Sequence, residues 1–280
     1  VWERVDDVAE SHAKHLADLA RHLRPDLSLL LQDTHISQHR RDDLCRHRIL
    51  SESELPKPGT LVAIDAEFVS LAQEELEVFS DGTRTLIQPS SLALARVSVL
   101  RGEGPREGEP FIDDHIWTTE PIVDYLTQFS GIQPDDLDPK RTQRTLVSHK
   151  TAYKKLRMLT DLGCRFIGHG LAKDFRIINI FVPPSQVIDT VQLYHSPAHP
   201  RNLSLRFLSW FLLKKDIQQG LALGVEQHDG HDSIEDALAA LQLFRKYEQF
   251  ERDGRLEDML EDLYEIGPRV NWRPPEKIAS

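Results

Sequence analysis

The chain has 280 residues, 40% of them hydrophobic, and a formal net charge of −11 from 34 Lys plus Arg against 45 Asp plus Glu. That size allows one large domain, or a domain with an appendage. No apolar run is long enough to cross a bilayer, and the acidic balance argues against nucleic-acid binding through overall charge while leaving room for a local basic track. Cys45 and Cys164 are too few for a disulfide framework or a zinc site, which suggests a reducing, cytoplasmic setting. The chain begins at Val1 rather than Met and shows no signal peptide, so it reads as a fragment of something longer.

Val5, Val8, Leu16, Leu19 and Leu23 recur at helical spacing, which predicts an amphipathic helix over residues 2–23, ending before Pro25. A His- and Arg-rich stretch from His35 to Arg48 follows. It reads as a solvated linker, with RNA contact by His39, Arg40, Arg41 and Arg46 as the sharper alternative. The Glu54–Gly59 stretch (ELPKPG) punctuates the chain, and a denser core begins near Thr60. This divides the chain into an extension over 1–58, a main domain over 59–275 and a tail over 276–280.

The main domain opens on Leu61–Phe68, LVAIDAEF. Four apolar residues predict a central strand covered on both faces. Asp65 and Glu67 then fall on one face, their Cα atoms roughly 6.5 Å apart. An acid-x-acid triplet is common in so acidic a chain, but the apolar run before this one argues burial. Two buried acids are unfavourable unless a cation lies between them, and hard oxygen ligands favour magnesium or manganese.

Asp81-Gly82 marks a hairpin within Glu74–Ile87, and Leu92–Leu100 is the next strand of an antiparallel meander. Phe111–Trp117 is a further strand. Ile122, Tyr125, Leu126 and Phe129 predict a helix that stops at Ser130-Gly131-Ile132. Lys140–Arg157 carries seven Lys or Arg and no acid, either a solvated helix face or a phosphate-contacting surface, with Tyr153, Leu156 and Leu159 on its buried side.

Cys164–Gly170 reads as a strand ending in a Gly-His-Gly turn. The helix beyond it carries Asp174 in its first turn, with Phe175 and Ile178 inward. Clefts in open α/β sheets form at such junctions, although an acid there also suits the helix dipole. Val187–Thr190 is another strand, and Ser204–Leu213 an apolar core helix. Finally, Asp232 and Glu235 have capping-box spacing, which starts a helix with the stripe Ile234, Leu238, Leu241 and Phe244. His231 precedes the cap and can swing over the first turn towards Asp236.

Taken together, D-x-E on a strand, an Asp at a strand–helix junction and H-x4-D at the start of the last long helix resemble the DEDDh family of 3′→5′ exonucleases. The motifs fall on Asp65 and Glu67, on Asp174, and on His231 with Asp236, and Ser130-Gly131-Ile132 matches the family's S/T-G-I segment. The runs FIDDHI, DYLTQFSGI, FIGHGLAKDFRIIN and HDSIEDA are similar, more narrowly, to the catalytic subunits of poly(A)-nuclease deadenylases, over about Pro56–Pro274. Residues Leu221–Asp229 look longer than in that family.

The resemblance implies an α/β, RNase H-like mixed sheet flanked by helices. It also implies two divalent ions, Mg2+ or Mn2+, and hydrolysis of poly(A) from its 3′ end with release of 5′-AMP. By the family pattern Asp65 bridges both ions, Glu67 and Asp236 complete the water-activating site, and Asp174 supports the second ion. His231 is then the general base, its imidazole suited to neutral pH. Phe68 and Phe129 are the candidates for stacking on bases. The implied partners are poly(A) RNA, a pseudokinase regulatory subunit and, indirectly, poly(A)-binding protein, with no membrane. Glu257–Glu265 and Asn271–Pro275 are possible docking regions. The alternatives are an exonuclease acting on other RNA or DNA ends and a scaffold that retains the fold.

Overall fold

The computed structural model describes residues 27–218 and 230–275. The helix expected over 2–23, the Leu221–Asp229 segment and the tail lie outside the described residues. A six-stranded mixed sheet organises the rest. Its strands are β1 (Leu61–Ala72), β4 (Ser91–Arg101), β5 (Pro110–Trp117), β6 (Leu146–Ser148), β7 (Arg165–Gly168) and β8 (Val187–Asp189), in the order β6-β5-β4-β1-β7-β8. β1 lies inside the sheet, antiparallel to β4 and parallel to β7, as its four-residue apolar run requires.

Alternation along β1 sorts its side chains between two cores. Val62, Ile64 and Ala66 join one cluster, with Leu156 and Leu159 of α2 (His149–Asp161) and Leu171, Phe175 and Ile178 of α3 (Leu171–Ile178). Leu61 and Ala63 face the other, built on Ala237, Ala240 and Leu241 of α5 (Ser233–Arg252). Asp65 and Glu67 continue that second face. The motif-bearing strand therefore delivers its acids beneath the long helix that carries Asp236.

β5 shows the same rule with charges. Its neighbours Asp113 and Asp114 point to opposite faces, and each is buried against a different cation. Asp113 accepts from Arg96 Nε on β4 at 2.7 Å, and Asp114 from Lys155 Nζ on α2 at 2.7 Å. Burial raises the Asp113 carboxyl, but Arg96 pulls it the other way and leaves it at about 2. For Asp114 burial wins over Lys155, and its pKa is raised.

Several local expectations are revised. β2 (Glu75–Val78) and β3 (Arg84–Gln88) form the hairpin around Asp81-Gly82 but stand as a separate two-stranded sheet. Every residue in both strands is exposed, so neither offers a face for the main core to cover, and the meander is broken there. The helix expected from Pro121 shrinks to α1 (Thr127–Ser130). Upstream, the main chain of Asp124 bridges to Ser70 of β1, the Asp124 side chain takes the Leu126 N–H at 2.8 Å, and Leu126 turns left-handed.

The stretch at 204–213 is one α-turn, α4 (Leu205–Leu208), continued as a π-turn over Ser209–Leu213. Phe207 and Leu208 are fully buried, while Trp210 to Leu213 are only partly so, the rings of Trp210 and Phe211 lying against Phe207. Among the described residues no helix is long and apolar enough to cross a membrane.

The basic regions are largely neutralised. In Lys140–Arg157, Arg141 pairs with Asp135, Arg144 with Asp136, Lys155 with Asp114 and Arg157 with Asp161. The helix itself covers only the second half of that stretch. In the extension, Arg40 is tied to Asp33 and Asp42, Arg41 to Asp43, and Arg46 to Asp232. Arg40 is buried in its pairs, while the Arg41 and Arg46 side chains stay about half exposed. Leu30 and Leu50 are buried in the first core cluster, so residues 27–58 pack against the domain instead of forming a free linker.

The end of the chain also packs inward. Acids on α6 (Leu256–Arg269) face outward while Met259, Leu263 and Tyr264 are buried. Trp272 seats edge-on against Phe207 and Tyr264, with the Arg201 guanidinium 4.7 Å from its ring centre, so 271–275 is no loose docking end.

The Lys155–Asp114 pair gives a test of this packing. Lys155→Met leaves an uncompensated buried carboxylate and should destabilise the fold by about 3–5 kcal/mol, whereas Lys155→Met with Asp114→Leu should be close to neutral. Denaturant unfolding of the three proteins measures both; equal losses in the single and double variants would contradict the pairing.

Candidate active site

The acids singled out in the sequence converge where β1, α3 and α5 meet. β7 ends at Gly168, one step short of the level of Asp65, and α3 starts at once beyond it. A Cβ at Gly168 would lie 2.9 Å from the Ile64 carbonyl and closer still to Leu171, so this tight turn needs glycine. Asp189, at the end of β8, fixes the turn by accepting from the Gly170 and Leu171 N–H groups at 2.8 and 3.0 Å. That carboxylate cap, which carries no signal in local spacing, fixes the start of the helix that bears Asp174.

Asp65, Glu67 and Asp236 each present a ligand atom, all within 4.8 Å of one another. Glu67 and Asp236 are buried and Asp65 is half-buried. Asp174 stands outside this triad, but Asp65 and Glu67 both feel its charge. Burial raises all four pKa values; the other site acids add to it for Asp65 and Glu67, whereas Glu235 and Asp232 add to it for Asp236 and Asp189 for Asp174. Asp65 is pushed well above its ordinary range, Glu67 to about 9, and Asp236 and Asp174 to about 7 each.

The protein's own cations do not resolve this repulsion. Arg96 reaches past Glu67 to bond Asp113 and, at 3.0 Å, Asp232. Glu67 Oε1 and Asp236 Oδ1 are buried without a hydrogen-bond partner. Two orphaned acceptors within an all-oxygen triad are what a hard divalent cation requires, so these residues fit one.

His231 Nδ1 lies 3.5 Å from Asp236 Oδ2. Asp232 caps α5 through the Ile234 N–H, but the capping box is only half realised. Glu235 accepts instead from the Gln218 N–H at 3.4 Å. Burial and the nearby Arg206 lower the His231 pKa, which favours the neutral ring. Its backbone is fixed by α1: the His231 N–H donates to the Phe129 carbonyl at 2.8 Å. Beside that bond, a Cβ on Gly230 would lie 2.2 Å from the Gly131 nitrogen. The glycine stop of the Ser-Gly-Ile segment thus seats the histidine loop, a contact between residues 99 positions apart (230 − 131) that local spacing does not reveal.

The two stacking candidates separate. Phe129 is 62% exposed, beside His231, whereas Phe68 packs against the first core cluster and is better explained as core.

These shifts set a pH dependence. An ordinary carboxyl titrates near 4, so these four acids hold more protons in the folded chain than in the unfolded one. Below about pH 7 the buried His115 and His169, lowered to about 4, oppose them, and the acids dominate from about pH 7 to about pH 9. Without divalent ions, stability should therefore fall as pH rises through that window, and added Mn2+ should restore most at the alkaline end. Melting curves in chelator and in Mn2+ at about pH 5, 7 and 9 test this; an equal metal effect at all three would contradict it.

The comparisons with known proteins agree with this geometry. A family model described as Exonuclease (RNase_T) matches residues 62–244. The chain is 54% identical over 257 residues, 91% of its length, to the PAN2-PAN3 deadenylation complex catalytic subunit PAN2 of Cryptococcus neoformans. It spans only about a fifth (21%) of that curated relative. Among solved structures, the Neurospora crassa Pan2 catalytic unit, with protease and nuclease domains, superposes with a TM-score of 0.71 at 49% identity, covering 86% of this chain and 35% of that one. The Saccharomyces cerevisiae Pan2 pseudoubiquitin hydrolase–RNA exonuclease module in complex with A7 RNA gives 0.74 at 42% identity, covering 88% and 37%. With its mixed sheet flanked by helices in an RNase H-like arrangement, the chain belongs to the exonuclease family.

Proposed function

We propose that the chain is a metal-dependent 3′→5′ exoribonuclease that shortens poly(A) and releases 5′-AMP. The observation that carries this reading is the Asp65–Glu67–Asp236 triad within 4.8 Å, with His231 beside Asp236. The similarity to deadenylation-complex catalytic subunits, and to a module bound to A7 RNA, supports poly(A) as the substrate.

In this mechanism Asp65, Glu67 and Asp236 would hold one divalent ion, and Asp174 would help to hold a second, magnesium or manganese in both. Two such ions supply the charge that activates water and steadies the leaving 3′ oxygen. The four acids set the positions and balance that charge. His231 takes the proton: its Nδ1 faces Asp236, which leaves Nε2 as the accepting atom, and its lowered pKa keeps that nitrogen free at neutral pH. Its clamp against α1 holds the ring in place, so little reorganisation accompanies proton transfer. Phe129, exposed next to that clamp, offers a face for the terminal base. By the same reading the protein acts in the cytoplasm with a pseudokinase regulatory subunit, and reaches poly(A)-binding protein through it.

The test is a competition among 5′-labelled RNAs ending in adenosines or uridines and a single-stranded DNA. The adenosine-ended RNA should shorten first, from its 3′ end, and chelator should stop the reaction. Equal trimming of all three would replace the deadenylase reading with a general exonuclease. His231→Ala should slow turnover by roughly 10²–10⁴-fold while leaving RNA affinity unchanged. Weaker binding with normal turnover would remove the histidine from the chemistry.

A further inference from the structure

Asp236 makes one short hydrogen bond to another side chain, and its partner is Gln218. The amide Nε2 donates to Asp236 Oδ2 at 2.7 Å. Nothing in the family motifs accounts for this residue, and its position is unusual. Gln218 has a φ of 57°, in the left-handed region that disfavours residues with a Cβ. The surroundings hold it there. Ile217 is buried in the second core cluster, and Asp216 accepts from Arg206 Nε at 3.1 Å. The Gln218 main-chain N–H points to the Glu235 carboxylate at 3.4 Å. A strained backbone anchored by the two residues before it, with its side chain aimed at a buried carboxylate, suggests a positional role.

We infer that Gln218 is a positioning residue for the divalent-cation centre, its amide holding Asp236 Oδ2 so that Oδ1 is turned to the metal and His231 is kept from closing onto the same carboxylate. This rests on the proposed metal centre. A primary amide suits the task because it donates without carrying charge or titrating, so it orients the acid without competing with the cation. Asp236 Oδ1 is buried and unpartnered, as an oxygen reserved for a metal would be. His231 Nδ1 stands 3.5 Å from Oδ2, longer than a good hydrogen bond, while the amide donates to that same oxygen at 2.7 Å. Without the amide, the ring is the nearest donor left to move in. Partners that orient ligands in this way typically change metal affinity by about 10–100-fold.

The experiment is a calorimetric titration of Mn2+ into the wild-type chain and into Gln218→Met, Gln218→Ala and Gln218→Gly, with the unfolding midpoint of each measured in chelator. The wild type should bind Mn2+, and all three variants should bind about 10–100-fold more weakly. The chelator midpoints of Gln218→Met and Gln218→Ala should fall only slightly, by the one hydrogen bond lost to Asp236, and Gln218→Gly should fall less because glycine relieves the left-handed strain. Stability largely retained while affinity falls is a split that a merely structural residue would not show. Wild-type affinity in the variants would overturn the inference and leave the metal centre standing. Failure of the wild type to bind Mn2+ would remove both. Loss of affinity only in step with loss of stability would make Gln218 a folding residue and overturn its positioning role.

Discussion

The repulsion among buried carboxylates midway along β1 is the constraint on which the rest depends. Asp65, Glu67 and Asp236 share a space less than 5 Å across, with Asp174 close enough to add to the field, and burial alone already disfavours their charged forms. A fold selected only for stability would place apolar residues or a guanidinium there. This one directs Arg96 to Asp113 and Asp232 and leaves Glu67 Oε1 and Asp236 Oδ1 without protein donors. The instability is confined to the place where an external cation can relieve it, as expected of sites that trade stability for chemistry.

The sheet makes that arrangement possible. Alternation along the first half of β1 puts apolar residues on both faces at its start and the two acids on one face at its middle, beneath α5, just before a bulge at Glu67/Phe68. The same alternation splits Asp113 from Asp114 so that each meets its own cation. Helix starts then contribute the remaining groups: Asp174 from the first turn of α3, held by Asp189, and Asp236 from the first turn of α5, capped by Asp232. Asp232 also ties Arg46 of the extension and Arg96 of β4 to the same cap, linking residues 27–58 to the base of the site.

Much of this was legible in the sequence because it is local. An apolar run followed by D-x-E, an acid just beyond a strand and an Asp at a helix cap are each short-range patterns with a physical meaning. What was missed is long-range. Gln218, Asp189 and the Gly131–Gly230 contact carry no periodic signal, since their roles come from residues far along the chain. Lys140–Arg157 looked like an unopposed basic track because Asp114, Asp135 and Asp136 lie outside that window, and Asp161 lies just beyond its end. The helix read from Ile122 to Phe129 failed for a related reason. Helical spacing of apolar residues cannot reveal that Asp124 will bond to Ser70 and turn the chain.

The most direct test of the central claim is anomalous diffraction from crystals of this chain grown with Mn2+ near pH 8. A manganese peak within coordination distance of Asp65, Glu67 and Asp236, with a second towards Asp174, is the result this account predicts. Crystals that diffract well, show those carboxylates hydrogen-bonded to one another, and bind manganese elsewhere or nowhere would contradict it.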